Sequence, residues 1–216
     1  MNLQTVKRVY FLGIGGVGMS ALARYFKMQG AIVSGYDKTP SRITKDLEVE
    51  GIIVHFDAQP ENADLKADLF VYTPAIPKSH PHFDHVLNAG GVWHKRSEVL
   101  QWITSQSKVI AISGTHGKTT TSAFLTHILH KVHGSVSGFV GGIMTNYNTN
   151  IIASNNAEFI VVEADEYDKS FLRLQPYIAL ITSLDPDHLD VYGTFDQMIL
   201  DYQKFASNAQ QLIVNE

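Results

Sequence analysis

Residues 110–125, IAISGTHGKTTTSAFL, join a short apolar run to a helical pattern through a turn that contains two glycines. The apolar run predicts a buried strand, and this order of strand, glycine loop and helix is typical of a phosphate-binding site. The usual loop, G-x-x-x-x-G-K-[ST], needs a glycine five positions before Gly117, where this sequence has Ile112. The stretch therefore predicts a shortened loop, G-x-x-G-K-T, that starts at Gly114.

The residues of this loop are candidates for binding a nucleotide and its metal ion. Lys118 stands where such loops place a phosphate-binding ammonium, and Thr119 where they place the hydroxyl that binds Mg²⁺. Backbone N–H groups of the loop can surround the β and γ phosphates. We therefore expect ATP to bind at Gly114, Thr115, His116, Gly117, Lys118, Thr119 and Thr120.

A second glycine-rich loop, GIGGVG at residues 13–18, lies near the N-terminus. It matches G-x-G-x-x-G, and Asp37 follows the next predicted strand at the spacing expected of a ribose-binding acid. Taken alone, this pattern favours NAD. Glycines and a helix N-terminus suit any diphosphate, however, and a tight turn without a ligand is the remaining alternative.

Apolar runs alternate with helical stretches along the chain, which is typical of parallel βαβ units. The runs are residues 9–12, 31–33, 69–72, 109–112, 159–162 and 177–181, and a last helix and strand are predicted at 195–209 and 211–214. We predict an α/β fold with two domains. Residues 1–105 are expected to form a Rossmann-like parallel-sheet domain, and residues 106–216 the N-terminal part of a P-loop α/β domain.

Each loop is followed by apolar residues at the spacing of one helical face. The first set is Met19, Leu22, Ala23 and Phe26, and the second is Leu125, Ile128, Leu129 and Val132. We expect both sets to be buried against the sheet of their domain.

Composition excludes several classes of function. A net charge of -4 at pH 7 gives no basic field for nucleic acid. The absence of cysteine excludes disulfides and thiolate metal sites, which fits a reducing cytoplasm. No apolar run approaches the length of a membrane span, and no secretory leader pattern is present at the N-terminus. We predict a cytoplasmic protein with no nucleic-acid or membrane partner.

Acidic residues follow two of the predicted strands. Glu163 ends the run FIVVE and is the best candidate for a metal ligand, because parallel strands deliver their ends to one edge of the sheet. A solvated turn is an equally good interpretation for the three acids that follow it, Asp165, Glu166 and Asp168. His188 lies in a similar acidic stretch one strand later, but an isolated histidine is a weak ligand for Mg²⁺. The H-x-H-x-x-H stretch at residues 80–85 is interpreted as a polar turn and helix start.

Five motifs together resemble the Mur ligases of peptidoglycan precursor synthesis. They are GIGGVGMSALA, TPAIP, GTHGKTTT, VEADEYD and DPDHLDVYG, and the resemblance extends over the whole chain. In that family G-T-x-G-K-[ST] is the normal ATP loop. The resemblance implies that the first domain binds the UDP diphosphate of the substrate without any nicotinamide. His116 resembles both the branch that adds L-alanine and the branch that recycles a tripeptide, whereas GGVGMSA at residues 15–21 resembles the former alone, so L-alanine addition ranks first and tripeptide recycling second.

The resemblance also implies roles for individual residues. Lys118 would steady the β and γ phosphates, Thr119 and Glu163 would hold one Mg²⁺, and His188 would help to hold a second. The lactyl carboxylate of UDP-N-acetylmuramate would attack ATP, and the amine of L-alanine would open the resulting acyl phosphate. Substrate-binding residues are expected at Gly13, Gly15, Gly16, Val17, Gly18, Met19, Ser20, Asp37, Thr73, Asn146 and Asn148. A plain glycine-asparagine turn is the alternative for the last two.

Two other functions compete with this interpretation. An NAD-dependent dehydrogenase would use the first loop and Asp37 but leaves the second domain unexplained. A nucleotide-binding module that turns nothing over is the non-enzymatic alternative. We expect these 216 residues alone not to be a working ligase, because relatives continue well beyond the strand at 211–214. Some relatives carry a modified lysine near Gln203 and Lys204, to which we assign no role, and the sequence predicts no oligomeric state.

Overall fold

The computed structural model describes residues 3–105, 107–166, 169–187 and 189–215. The chain divides into two compact units, Met1–Ile103 and Thr104–Glu216. The sequence placed the domain boundary at residue 105, and the functional roles of the two units stay predictions. Asp168 and His188 lie outside the described residues.

The first unit is a parallel sheet with helices between its strands. The strands follow the order β3-β2-β1-β4-β5, and all four pairings are parallel. Its elements are β1 (Arg8–Leu12), α1 (Val17–Met28), β2 (Ile32–Tyr36), α2 (Arg42–Val49), β3 (Ile53–His55), β4 (Leu69–Tyr72), α3 (Pro81–Asn88), β5 (Trp93–Lys95) and α4 (Arg96–Thr104), with short 3₁₀ turns at Leu3–Thr5 and Pro60–Asn62.

Strand β1 is the central strand of this sheet, and its side chains are buried on both faces. Tyr10 packs on one face with Phe83 of α3, while Phe11 packs on the other with Phe26 of α1. A strand covered on both sides reads as a continuous apolar run, which is why residues 9–12 were recognisable in the sequence. The predicted buried face of α1 is confirmed, since Met19, Leu22, Ala23 and Phe26 are all at most 2% exposed.

The second unit is a mostly parallel sheet ordered β11-β10-β6-β9-β7-β8, in which only the β7–β8 pairing is antiparallel among the described strands. Its elements are β6 (Lys108–Ser113), α5 (Lys118–Val132), β7 (Val136–Met144), β8 (Thr149–Ile152), β9 (Phe159–Glu163), β10 (Ile178–Ile181), α6 (Leu189–Tyr192), α7 (Phe195–Ser207) and β11 (Gln211–Val214), with a 3₁₀ turn at Ser170–Arg173.

Helix α5 covers the second sheet, but its buried face differs from the predicted one. Leu125 and Leu129 pack against the cluster formed by Ile110, Ile112, Val136 and Val161, as expected. Ile128 and Val132, however, are 53% and 83% exposed. The prediction for these two residues was wrong, because Ser122 and Thr126 lie in the buried stripe instead. Small polar side chains thus lie on the buried face of α5, where the apolar periodicity alone could not predict them.

The two helices that follow the glycine loops begin differently from their neighbours. The side chains of Ser41, His80 and Thr194 accept hydrogen bonds from backbone N–H groups in the first turns of α2, α3 and α7. Helices α1 and α5 have Gly16 and Gly117 at this position, and neither receives a side-chain cap among the described residues. A helix start with a glycine and no side-chain cap is the arrangement at which anions bind to helix N-termini.

Candidate functional site

In the first unit the glycine-rich loop leaves β1 and turns into α1. Gly13 has φ of 89°, a left-handed conformation that favours glycine. The N–H groups of Gly13 and Ile14 donate to the carbonyl of Tyr36 at 2.8 and 3.0 Å, which fixes the loop to the end of β2. Gly16 is exposed and Val17 half-buried at the start of the helix. The loop is therefore held by backbone contacts on its inner side.

Thr73 lies beside the loop because β4 is the strand next to β1. A side chain added at Gly13 would come within 2.5 Å of Thr73 Cγ2, and the N–H of Thr73 donates to the carbonyl of Leu12 at 3.3 Å. Strands β2 and β3 lie on one side of β1, and the chain then continues with β4 and β5 on the other side. In parallel sheets of this kind, ligands bind at the switch point, which here lies between β1 and β4. Thr73 and the loop, both predicted to bind substrate, are brought together here.

Asp37 contacts the glycine loop directly. Its Oδ2 accepts a hydrogen bond from the N–H of Gly15 at 2.8 Å, and its Oδ1 accepts one from the N–H of Thr39 at 3.2 Å. A Cβ at Gly15 would lie 2.8 Å from Asp37 Oδ2 and 2.8 Å from Thr44 Cγ2. A glycine is thus favoured at position 15 because Asp37 and Thr44 of α2 approach it closely. Asp37 holds the loop in place by accepting the hydrogen bond from Gly15.

The predicted substrate residues Met19 and Ser20 face into the fold. Met19 is 2% exposed and Ser20 is fully buried, with its hydroxyl donating to the carbonyl of Val17 at 2.9 Å. The N–H of Ser20 also donates to the carbonyl of Gly16 at 2.8 Å, so the side chains of Met19 and Ser20 are buried and the N–H of Ser20 is engaged within the helix.

Arg96 is a residue that the sequence analysis missed. It begins α4 directly after β5, and a Cβ at Gly18 would lie 3.2 Å from Arg96 Cδ and would also meet its Nη1. The guanidinium thus lies against the first turn of α1. The signal in the sequence was a basic pair, Lys95 and Arg96, at the carboxyl end of the fifth strand of the sheet.

In the second unit the phosphate-binding loop lies between the ends of β9 and β10. Strand β6 continues to Ser113, so Ile112 is a buried strand residue paired with Glu163. Gly114 and Gly117 have φ of 131° and 82°, which explains a glycine at each of these positions. The missing glycine at position 112 is therefore the consequence of a longer strand and a shorter loop.

The loop is tied to the residues that follow β10. The N–H of Thr115 donates to the carbonyl of Ser183 at 3.0 Å, and the N–H of His116 donates to Ser183 Oγ at 2.9 Å. Thr182 Oγ1 donates to the carbonyl of His116, and a Cβ at Gly114 would meet the same hydroxyl. Thr182 and Ser183 were not predicted, although a polar pair directly after an apolar strand was visible in the sequence.

Lys118 begins α5 and turns back across the loop. Its Nζ donates to the carbonyl of Gly114 at 2.6 Å, contacts the carbonyl of Thr115 at 3.5 Å and lies 2.7 Å from Glu166 Oε1. Glu166 is 1% exposed, so of the two interpretations left open for this residue the solvated turn does not hold. Burial raises the pKa of Glu166, and the hydrogen bond from Lys118 opposes that shift.

Thr119, in the first turn of α5, contacts Glu163 at the end of β9. Thr119 Oγ1 donates to Glu163 Oε1 at 3.0 Å, and the N–H of Gly141 donates to Glu163 Oε2 at 2.8 Å. Ser122 Oγ lies 3.5 Å from the same oxygen. A Cβ at Gly141 would lie 2.5 Å from the carboxylate oxygens, so a side chain at this position would displace Glu163 from its present contacts. The pair predicted to bind the metal ion is brought together, whereas His188 lies outside the described residues.

The remaining predicted residues are more peripheral. His116 and Thr120 are exposed at the mouth of the loop. Asn146 and Asn148 are exposed in the turn between β7 and β8, where Asn148 has φ of 52°. Their roles stay predictions. The H-x-H-x-x-H stretch forms a turn and the start of α3, as predicted, and buried His82 contacts Tyr10 OH at 3.0 Å and the carbonyl of Gln59 at 2.9 Å.

The fold and these contacts define an α/β protein with a Rossmann-like unit followed by a phosphate-binding-loop unit. Comparison with protein families agrees with this class. Residues 8–108 match the model described as Mur ligase family, catalytic domain, and residues 112–216 match the Mur ligase middle domain. The chain belongs to the Mur ligase family.

Similar proteins cover the whole chain but are longer. The UDP-N-acetylmuramate--L-alanine ligases of Flavobacterium johnsoniae and Phocaeicola vulgatus are 50% and 46% identical to it, over 97% of this chain and 47% of theirs. The structure of UDP-N-acetylmuramate-alanine ligase from Thermotoga maritima superposes with a TM-score of 0.88 at 28% identity, covering 97% of this chain and 49% of that one. The chain thus spans about half the length of these relatives.

A structure of a related ligase of different specificity is also similar. The UDP-N-acetylmuramate:L-alanyl-gamma-D-glutamyl-meso-diaminopimelate ligase from Neisseria meningitides has a TM-score of 0.85 at 25% identity, over 98% of this chain and 72% of that one. Within the described ranges, no helix is both long enough and apolar enough to cross a membrane.

Proposed function

We propose that this chain supplies the UDP-sugar-binding and ATP-binding parts of a ligase that joins L-alanine to the lactyl carboxylate of UDP-N-acetylmuramate. The observation that carries the proposal is the arrangement of Lys118, Thr119 and Glu163 around one phosphate-binding loop. Relatives that are 43–50% identical to the chain over the aligned residues are named UDP-N-acetylmuramate--L-alanine ligase. The proposal includes a cytoplasmic location, consistent with a chain that contains no cysteine.

ATP fits the loop of the second unit. The uncapped N-terminus of α5 and the backbone of Gly114 and Gly117 offer N–H groups, and Lys118 offers a cation beside them. In this arrangement the ammonium would neutralise the β and γ phosphates, so that a carboxylate can approach the γ-phosphorus without repulsion.

Mg²⁺ fits the oxygen pair next to the lysine. Thr119 Oγ1 and Glu163 Oε1 are hard oxygen donors 3.0 Å apart, and the N–H of Gly141 holds the carboxylate in place. Thr119 and Glu163 would hold the ion, which neutralises phosphate charge when it is bound. His188 remains our candidate for a second ion, on the basis of the family resemblance alone.

The proposed reaction has two steps. The lactyl carboxylate attacks the γ-phosphorus of ATP, which gives an acyl phosphate and ADP. The amine of L-alanine then attacks the acyl carbon, phosphate leaves, and an amide bond is formed. Lys118 orients the phosphates for the first step, and both steps need the reactants aligned rather than a covalent bond to the protein.

UDP-N-acetylmuramate is assigned to the glycine loop of the first unit. Gly13 to Gly18 and the uncapped N-terminus of α1 suit its diphosphate, and Thr73 lies beside the loop. Asp37 already accepts a hydrogen bond from the N–H of Gly15, so its carboxylate has a structural task that needs no NAD ribose. The substrate-binding roles of Asn146 and Asn148 belong to the same proposal.

A tripeptide-recycling ligase is the second candidate, because the structure from Neisseria meningitides resembles this chain with a TM-score of 0.85. One experiment separates the two functions. Phosphate release is measured with UDP-N-acetylmuramate, ATP and either L-alanine or the tripeptide, using this chain and a C-terminally extended one. Release that depends on L-alanine supports the first function, and release that depends on the tripeptide supports the second. Tight binding of NADH, with no binding of the UDP-sugar, would overturn both.

A further inference from the structure

The ammonium of Lys118 is already engaged in the nucleotide-free protein. An ammonium has three N–H donors. Two of the described acceptors lie close, at 2.6 Å for the carbonyl of Gly114 and 2.7 Å for Glu166 Oε1, and the carbonyl of Thr115 is at 3.5 Å. A phosphate oxygen can therefore reach this ammonium only if one of these partners is released or shared.

Glu166 is the partner whose charge makes it a competitor of phosphate. The carbonyls of Gly114 and Thr115 are neutral and belong to the loop itself, so they can keep their contacts while a phosphate binds. Glu166 carries an anionic group of the same kind as the ligand, and its side chain is 1% exposed. Exchange of this carboxylate for a phosphate replaces one charge-assisted hydrogen bond with another.

The backbone at Glu166 is anchored, whereas the lysine can move. The carbonyl of Glu166 accepts hydrogen bonds from Tyr192 OH at 2.7 Å and from the N–H of Lys169 at 3.1 Å. The carbonyl of Asp165 next to it accepts a hydrogen bond from the N–H of Phe171 at 3.3 Å. Lys118 is joined to α5 by a flexible four-carbon chain and is 16% exposed. Arrival of a nucleotide is thus expected to move the ammonium and leave the carboxylate in place.

We propose that Glu166 is a positioning residue that holds Lys118 across the phosphate-binding loop in the nucleotide-free protein and competes with the β-phosphate for its ammonium. This inference rests on the proposed function of the loop as an ATP site. It gives the second glutamate of the E-A-D-E stretch, Glu166, a task different from that of Glu163, which faces Thr119.

The test is the affinity of Glu166→Gln for ADP and for AMP, measured without Mg²⁺ by competition against a fluorescent ADP analogue. The amide keeps the shape of the side chain and removes its charge. ADP is expected to bind about tenfold more tightly, the scale of one charge-assisted hydrogen bond. AMP, which lacks a β-phosphate, is expected to bind as it does to the wild-type chain. A merely structural role of Glu166 would change both nucleotides alike.

Two further variants complete the design. Glu158→Gln is the matched control, because Glu158 precedes β9 and pairs with Lys108 at 3.0 Å, at the strand end opposite to Glu166. It is expected to leave ADP affinity unchanged. In the Lys118→Ala background, the further change Glu166→Gln is expected to give no gain in ADP affinity, because both changes act on the same contact.

The outcomes separate this inference from the function on which it rests. If Lys118→Ala weakens ADP binding but Glu166→Gln leaves it equal or weaker, the competition is refuted and the ATP site stands. If ADP binding to the wild-type chain does not depend on Lys118, both are refuted. Should Glu166→Gln fail to show a cooperative melt, Glu166→Asp carries the test. It retracts the charge by one methylene, and its ADP affinity is expected to lie between those of the wild-type chain and the Gln variant. An affinity no tighter than wild-type would overturn the proposal.

Discussion

The hydroxyl of Thr119, in the first turn of α5, donates a hydrogen bond to Glu163 Oε1 at the end of β9, over a distance of 3.0 Å. The two residues are 44 positions apart in the chain. They meet because β9 lies beside β6, with Glu163 paired to Ile112. This contact brings together the two oxygen donors that the proposed function assigns to Mg²⁺.

Replacement of Glu163 is expected to alter the metal dependence of nucleotide binding more than the binding itself. In Glu163→Ala the affinity for ATP without Mg²⁺ should stay close to the wild-type value, and the gain on adding Mg²⁺ should be lost. Titration of Mg²⁺ at fixed ATP measures this. Glu158→Ala, at the residue directly before the other end of the same strand, is the control. An unchanged Mg²⁺ curve would remove Glu163 from the metal site.

Replacement of Lys118 is expected to weaken ATP binding by about 1.5–3 kcal/mol, the value of one charge-assisted hydrogen bond. The measurement is the dissociation constant of ATP for Lys118→Ala. Lys131→Ala changes an exposed lysine in the last turn of the same helix and should bind ATP as the wild-type chain does. Equal affinities of the two variants would contradict the role of Lys118.

Replacement of Gly114 is expected to destabilise the fold more than replacement of Gly134. Both glycines have positive φ, 131° and 78°, so alanine is strained at either site, at a cost of about 1–3 kcal/mol. At Gly114 the new Cβ also meets Thr182 Oγ1 and lies 2.9 Å from the N–H nitrogen of Ser183, whereas nothing lies within 4 Å at Gly134.

Urea unfolding followed by far-ultraviolet circular dichroism compares the two alanine variants. The difference between their free energies of unfolding reports the close approach of the loop to Thr182 and Ser183 together with the difference in backbone strain between φ of 131° and 78°. Equal free energies of unfolding for the two variants would show that the loop accommodates the new Cβ at position 114 without a loss of stability.

Acid is expected to destabilise the first unit through His82. Burial lowers the pKa of His82 below its ordinary value of 6.5, and burial also lowers that of neighbouring His80. Unfolding therefore takes up protons. The contribution of neutral, buried His82 to the free energy of unfolding is fully present above pH 6.5 and is lost as the pH falls below that value. For one proton, the free energy of unfolding falls by up to about 1.4 kcal/mol per pH unit. His55 and His85 also face His82, and their charges lower its pKa further.

Fluorescence reports this unfolding selectively, because both tryptophans, Trp93 and Trp102, belong to the first unit. The stability of the variant His82→Gln should depend less steeply on pH below 6.5. Tyr10→Phe removes the hydrogen bond to His82 Nδ1 but keeps the imidazole, so it should lower stability while the acid dependence persists. A slope in His82→Gln as steep as that of the wild-type chain would refute the assignment.

Local patterns predicted the central elements of both sheets. Residues 9–12, 69–72 and 109–112 lie in β1, β4 and β6, and the last strand was predicted at 211–214, the bounds of β11. The first three of these strands are apolar runs flanked by turn residues, so burial on both faces left a clear signal. Strand β11 is exposed and was recognised by its short apolar run alone. The short strands β3 and β5 were missed, because three residues at the side of a sheet leave no periodic pattern.

The sequence by itself determined the α/β class, the two glycine loops, the helix that follows each, and the candidate residues Lys118, Thr119 and Glu163, because these depend on neighbouring residues. Only the tertiary structure decided that Lys118 meets Glu166, that Thr182 and Ser183 tie down the loop, and that Asp37 closes the loop at Gly15. Such contacts depend on which strands lie side by side. Strand order is set by packing of the whole sheet, and it leaves no periodic signal along the chain.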